Sequence, residues 1–145
     1  MMSKHRFAPK LYYQLSLDQL VPQDHLLRNL DQAIDFGFIY PLARPYYSHT
    51  GQPSIDPVVL FKTLLIGYLY GITSERRLMA DIQVNMAYRW FLGYDLDEVI
   101  PDHSVLSKAR VRFGMAVFEK FFNFSIELCR KAGLLGEGQF MWIPP

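Results

Sequence analysis

Apolar residues recur at helical spacing along most of this chain, and capping residues, prolines and glycines divide the pattern into segments. Leu26, Leu27, Leu30, Ile34 and Phe38 form the first series, with Asp24 placed to cap it and Gly37 to stop it. Asp56 followed by Pro57 is a stronger start, because the carboxylate accepts from orphan amides and proline at the first helical position loses no hydrogen bond. The helix it opens carries Val58, Leu60, Phe61, Leu64, Leu65, Tyr68 and Leu69 and ends near Gly71. Being apolar nearly all round, it is the expected central core helix.

Ser74 caps a third helix containing Leu78, Met79 and Ile82. Asn85 opens a short fourth one, in which Ala87, Trp90, Phe91 and Leu92 are closed off by Gly93. From Asp102 to Gly114 another amphipathic helix turns Val105, Leu106, Ala109 and Phe113 inward and Ser104, Ser107, Lys108, Arg110 and Arg112 largely outward. The last helix, over about residues 116–132, buries Val117, Phe118, Phe121, Phe122, Ile126 and Leu128, with Gly133 in the usual place just past a helix end.

Residues 1–23 read as an extended arm anchored by Phe7, Leu11, Tyr12, Tyr13, Leu15, Leu17 and Leu20. Pro41, Pro45, Gly51 and Pro53 make residues 40–54 a loop, and residues 94–101 form an acidic one. With no strand pattern and no internal repeat, the expectation is an all-α, compact multi-helix domain with a helix-turn-helix-like segment.

The chain has 145 residues, half of them hydrophobic and a fifth charged, which suits one globular domain and excludes a disordered chain. The stretch from Val58 to Tyr70 is interrupted by Lys62 and too short to cross a bilayer, and the start of the chain lacks the apolar core of a secretory signal. No membrane partner is expected, and the cytoplasm is the default location. Cys129 stands alone, so no internal disulfide forms, and no Cys or His cluster has metal-ligand spacing.

Although the net charge is only +1, it is unevenly spread. Residues 74–103 hold three arginines against six acids, whereas residues 104–132 hold six cations against two acids. That local basic block gives the first candidate chemistry. Short helices braced against a following helix that exposes Ser, Lys and Arg are how helix-turn-helix proteins meet the major groove. Ser104, Ser107, Lys108, Arg110 and Arg112 are the residues placed for phosphates or base edges. The same pattern fits a solvated basic face on a core helix. Arg76 and Arg77 open the third helix at the end where its dipole favours acids; a DNA backbone would compensate them, and so would Asp81 or Glu75.

Asp95, Asp97, Glu98, Asp102 and His103 contain the carboxylates that metal binding or acid–base chemistry requires, but they read better as a solvated loop and a cap. His5, His25 and His49 are scattered, and Tyr88, Trp90, Phe91 and Tyr94 have the spacing of packed core aromatics. A catalytic site within the chain is not expected.

Four stretches, SHTGQPSIDPVVLFKTLLIGYLYGITSERRL, NMAYRWFLGYDLDE, PDHSVLSKARVRF and FNFSIELCRKAGLL, together resemble the N-terminal helical domain of bacterial insertion-sequence transposases of the InsH type. The resemblance covers roughly residues 5–139, so residues 1–139 are assigned to that domain. It implies a role in binding double-stranded DNA at the element's terminal inverted repeats, with Ser104, Ser107, Lys108, Arg110 and Arg112 on the DNA-facing helix; Arg76 and Arg77 stay as further candidate contacts from their charge pattern. A homo-oligomer or the full-length transposase is a further implied partner, and a dimerisation module is the alternative role. Catalysis in that family belongs to a following DDE domain of RNase H-like fold, whose acids hold magnesium. None of those acids maps onto this chain, so neither a cofactor nor independent enzyme activity is expected of it.

The first of those acids should follow GLLGEGQF in a strand, where this chain instead reads Met141, Trp142, Ile143, Pro144, Pro145. Met and Trp have single codons, so shifting the reading by one nucleotide turns Met-Trp-Ile into Tyr or His, then Val, then Asp. Residues 140–145 are therefore expected to be an out-of-frame tail, by programmed frameshifting or by mutation. Sequencing the gene onward should find a DDE domain in the adjacent frame; its absence there would remove this expectation.

Overall fold

Helix caps and buried apolar faces account for most of the architecture. The computed structural model describes residues 1–47, 54–131 and 133, and these form eight α-helices: α1 (Leu17–Leu20), α2 (Leu26–Ala33), α3 (Ile39–Ala43), α4 (Pro57–Leu69), α5 (Glu75–Val84), α6 (Met86–Leu92), α7 (Ser104–Phe113) and α8 (Met115–Lys131). Two 3-10 turns, Phe36–Phe38 and Arg44–Tyr46, flank α3, and no strand occurs among the described residues. The expected all-α class is what the structure shows.

The α4 helix is the centre. Asp56 Oδ1 accepts from Val58 N at 2.8 Å, Pro57 takes the first position, and α3, α6 and α8 pack around the helix. Its Leu60, Phe61, Leu65 and Ile66 are buried, and Thr63 is tolerated there because its hydroxyl donates to Val59 O at 2.8 Å. Phe61 meets Phe118 and Phe121 edge-on at 5.3 and 4.7 Å, which seats α8 across α4. Gly67 permits a close approach by α5: a Cβ there would lie 3.1 Å from Leu78 Cδ2 and 3.3 Å from Ile72 O.

Ser74 Oγ accepts from Arg77 N and Asn85 Oδ1 from Tyr88 N, so α5 and α6 begin where the sequence places them. Gly93 and Gly114 end α6 and α7 with φ of 86° and 78°, a left-handed region that costs glycine little. Gly133 also has positive φ, in the position expected for it.

Five expectations are corrected. His25, not Asp24, caps α2, its Nδ1 accepting from Leu27 N at 3.1 Å. Gly37 stops no helix, since α2 closes at Ile34 and Asp35 then turns the chain by accepting from Gly37 N at 2.9 Å. Residues 40–47 are not loop, because α3 and the turn after it absorb Pro41 and Pro45 in first-turn positions that need no amide donor; residues 48–53 lie outside the described ones. The arm is not anchored as expected. Leu17 is buried in α1 and Leu20 half-buried, but Phe7, Leu11, Tyr12, Tyr13 and Leu15 are exposed. The α7 helix begins at Ser104, two residues after the expected Asp102, with His103 at its cap position.

Three interior cations join these elements. Arg28, on α2, donates from Nε to Pro22 O at 3.1 Å and from Nη2 to Asp18 O and Val21 O at 2.6 and 2.9 Å; Nη1 reaches Asp18 Oδ1 at 3.0 Å, and the guanidinium lies 4.5 Å from the Trp90 ring centre. One side chain thus fixes α1 and its following turn against α2 and α6. Arg89 donates to Gln83 O, Asp95 O and Glu98 O at 2.9, 2.6 and 3.0 Å, tying the end of α5 and the acidic loop to α6. Lys62 reaches Phe91 O at 3.1 Å and Asp31 at 3.3 Å, over the rings of Phe36 and Phe91.

Arg28→Lys keeps the charge but not the planar fork, and Arg28→Met removes both. Each is expected to lose about 2–3 kcal/mol of unfolding free energy, because buried carbonyls are left without donors. Urea titration measures this, and an unchanged midpoint would contradict the role given to Arg28.

Burial raises the phenol pKa of Tyr47, Tyr70, Tyr88 and Tyr94 above the ordinary 10.0, and a hydrogen bond to Asp56 raises that of Tyr40. The fold favours the neutral phenol, so this stability is complete below pH 10 and is lost as pH rises further and the unfolded chain ionises. Melting temperature should fall above about pH 10, with native phenolate absorbance lagging that of the unfolded chain. Coincident titration of the two states would contradict it.

Candidate nucleic-acid interface

The α7 helix is held by one face and free on the other. Leu106, Ala109 and Phe113 are buried, while Phe113 packs on Phe61 and Phe118 and against Tyr46 and Tyr47. Ser107, Lys108, Val111 and Arg112, at i, i+1, i+4 and i+5, are exposed as one stripe; Ser104 is half-buried at its start. Val111 is 88% exposed, so the stripe also carries an apolar contact point.

Arg110 does not belong to that stripe. Its spacing from Leu106 and Phe113 puts it beside the buried face, where its guanidinium pairs with Glu75, the first residue of α5. Ser107 Oγ reaches the same carboxylate at 3.1 Å. Glu75 suits this place twice over: an acid in the first turn is favoured by the helix dipole, and two α7 side chains meet it. The start of α5 is thereby fixed against α7.

Arg76 and Lys108 are exposed and make no ion pair among the described residues. Arg77 faces Asp81 one turn on at 3.6 Å, the local compensation open to it from the sequence. Arg112 is exposed yet not loose. Its guanidinium sits 4.9 Å from the centre of the Tyr47 ring, and Tyr47 is itself fixed by donating to Ile55 O at 2.8 Å. The roles of Glu75 in joining α5 to α7 and of Tyr47 in holding Arg112 were not legible in the sequence, because their partners lie far along the chain.

The acidic candidates serve local structure. Asp95 accepts from Leu96 N and Glu98 from Asp95 N, and Asp102 pairs with His103 at 3.0 Å. The Ser104 hydroxyl first, with His103 and nearby amides, lowers the Asp102 pKa, as expected of a carboxylate at a helix start. Among the described residues no three His, Cys, Asp or Glu side chains converge on a position fit for a metal ion. Tyr88 and Phe91 are buried, Trp90 lies against Arg28 and Tyr94 is half-buried, which leaves these aromatics engaged in packing. Burial also raises the Cys129 thiol to about 11, far from a thiolate at neutral pH. No helix among the described residues is long and apolar enough to cross a membrane.

Comparison with known proteins adds one finding. Residues 15–112, which run from just before α1 to the end of α7, match the family described as Transposase domain (DUF772). No curated protein and no solved structure matches the chain. The matched segment is well over half of the chain and contains both the α5–α7 junction and the exposed stripe, so the chain belongs to the transposase domain family (DUF772).

Proposed function

We propose that the domain engages the terminal inverted repeats of an insertion sequence of the InsH type, with α7 as the DNA-facing helix. The observation that carries this reading is the cationic stripe. Most interior and paired cations are committed to the fold, whereas Lys108 and Arg112 on one face of α7, and Arg76 in the first turn of α5, are exposed and free of acidic partners among the described residues. A backbone phosphate is the ligand that such a surface takes first, and a helix presenting it is the part that enters a groove. Val111 supplies an apolar contact of the kind a thymine methyl accepts. Ser104 can reach a phosphate from the start of the helix, while Ser107 and Arg110 act mainly by holding α7 on Glu75.

In this reading the strand chemistry, and the magnesium it requires, belong to a separate DDE domain, and this chain supplies end recognition in the cytoplasm. Double-stranded DNA is its main partner. The second reading, a module that pairs transposase chains, is favoured by a different observation, the row of exposed apolar side chains on the arm.

Binding of the chain to terminal-repeat DNA and to scrambled DNA, measured over a range of salt concentrations, tests the proposal. Tighter binding to the repeats, with affinity falling as salt rises, is expected. Lys108→Ala and Arg112→Ala should each weaken binding and lower the log–log salt slope by about 1 while leaving the urea midpoint unchanged. Arg110→Ala should instead lower the urea midpoint. No preference for the repeats, and no effect of the two stripe variants, would overturn the reading.

A further inference from the structure

Of the two exposed cations on α7, one is held in place and the other is not. Lys108 makes no ion pair and no ring contact among the described residues. Arg112 stands one turn further along the same face, with its guanidinium 4.9 Å from the centre of the Tyr47 ring.

That ring is itself fixed. Its hydroxyl donates to Ile55 O at 2.8 Å, one residue before the Asp56 cap of α4, and it meets Phe113 edge-on with ring centres 5.7 Å apart. Phe113 is buried and packs in turn on Phe61 of α4 and Phe118 of α8. A run of aromatic contacts therefore reaches from the core to Arg112. The contact is close enough to act on the phenol: burial raises the Tyr47 pKa, and the Arg112 charge acts against that rise.

The other fixed guanidinium groups, those of Arg28 and Arg89, are matched to main-chain carbonyls. Arg112 has a comparably fixed position without carbonyl or carboxylate acceptors among the described residues, and it is exposed. Its five N–H donors lie in the guanidinium plane, so engagement by one ring leaves a pair of them for a single ligand.

We propose that Arg112 is the base-reading side chain of α7, donating through two N–H groups to one guanine of the terminal repeat, with Tyr47 as its positioning residue and Lys108 confined to phosphate. This rests on the DNA reading above and adds the chemical group that is recognised. In the major groove guanine offers two acceptors, O6 and N7, that a planar fork matches, whereas adenine offers one acceptor and one donor there. An ammonium has no fork, and a loosely held cation suits phosphates, which lie along the whole duplex. Holding the guanidinium before DNA arrives also reduces the rotamer freedom lost on binding.

Affinities for terminal-repeat and scrambled DNA test this. Arg112→Lys is expected to lower the ratio of the two about tenfold with the salt slope and the urea midpoint unchanged, since the charge stays and the fork goes. Tyr47→Leu should lower the same ratio by about two- to fivefold, and Tyr47→Phe, which keeps the ring, should retain it. Repeats in which one guanine at a time is replaced by 7-deazaguanine, which lacks the N7 acceptor, should reveal one position where the unaltered chain loses affinity and the Arg112→Lys chain does not. Arg112→Lys alters no packed group, so its result stands whether or not Tyr47→Leu is stable. An unchanged ratio for Arg112→Lys, or no such guanine, while Lys108→Ala still weakens binding, would confine Arg112 to phosphate and overturn this inference alone. A ratio lowered by Arg112→Lys but not by a folded Tyr47→Leu chain would overturn the role given to Tyr47. Equal binding of repeat and scrambled DNA by the unaltered chain would overturn the DNA reading and this inference together.

Discussion

The fold rests on two buried arginines and a half-buried lysine that donate to main-chain carbonyls. Arg28 and Arg89 stand where segments without regular structure meet helices, Lys62 joins α4 to α2 and to the last turn of α6, and each donates to main-chain carbonyls. A carbonyl removed from water without a donor costs on the order of 1–3 kcal/mol, so these side chains decide which loop geometries are possible. They also bring α1, α2, α4 and α5 to one short helix, α6, which is too small to organise them by apolar contact alone.

That arrangement separates two populations of charge. Cations at the centre and at the α5–α7 junction are matched to carbonyls and carboxylates inside the fold. The stripe on α7 is what remains directed at solvent beside that junction. A near-neutral net charge is thus compatible with a polyanionic partner, since the local distribution and not the total sets the field that DNA would meet. The segment that matches the transposase domain family includes that surface.

How much of this was legible in the sequence follows from the range of each interaction. Caps at Asp56, Ser74 and Asn85 and the glycines closing α6 and α7 act within a few residues, so spacing reveals them. The end of α2 was misplaced because a polar turn residue, Asp35, did the work assigned to Gly37, and α3 was hidden by prolines that its first turn accommodates. Arg28 and Arg89 carry no local sign of burial, as their acceptors come from carbonyls of several segments. Arg110 is the one site residue whose orientation was available from spacing, being four residues from Leu106 and three from Phe113; its charge drew attention outward while its position pointed inward. The arm illustrates the reverse, apolar composition read as anchorage where the structure leaves the side chains exposed.

The central claim is that the outer face of α7 meets DNA while the interior cations only hold the frame. Amide hydrogen exchange, with and without terminal-repeat DNA, tests this most directly. Slower exchange is predicted across α7 and the first turn of α5, with unchanged rates around Arg28, Lys62 and Arg89. Protection concentrated at those interior sites, or on other surfaces with α7 unaffected, would contradict the account.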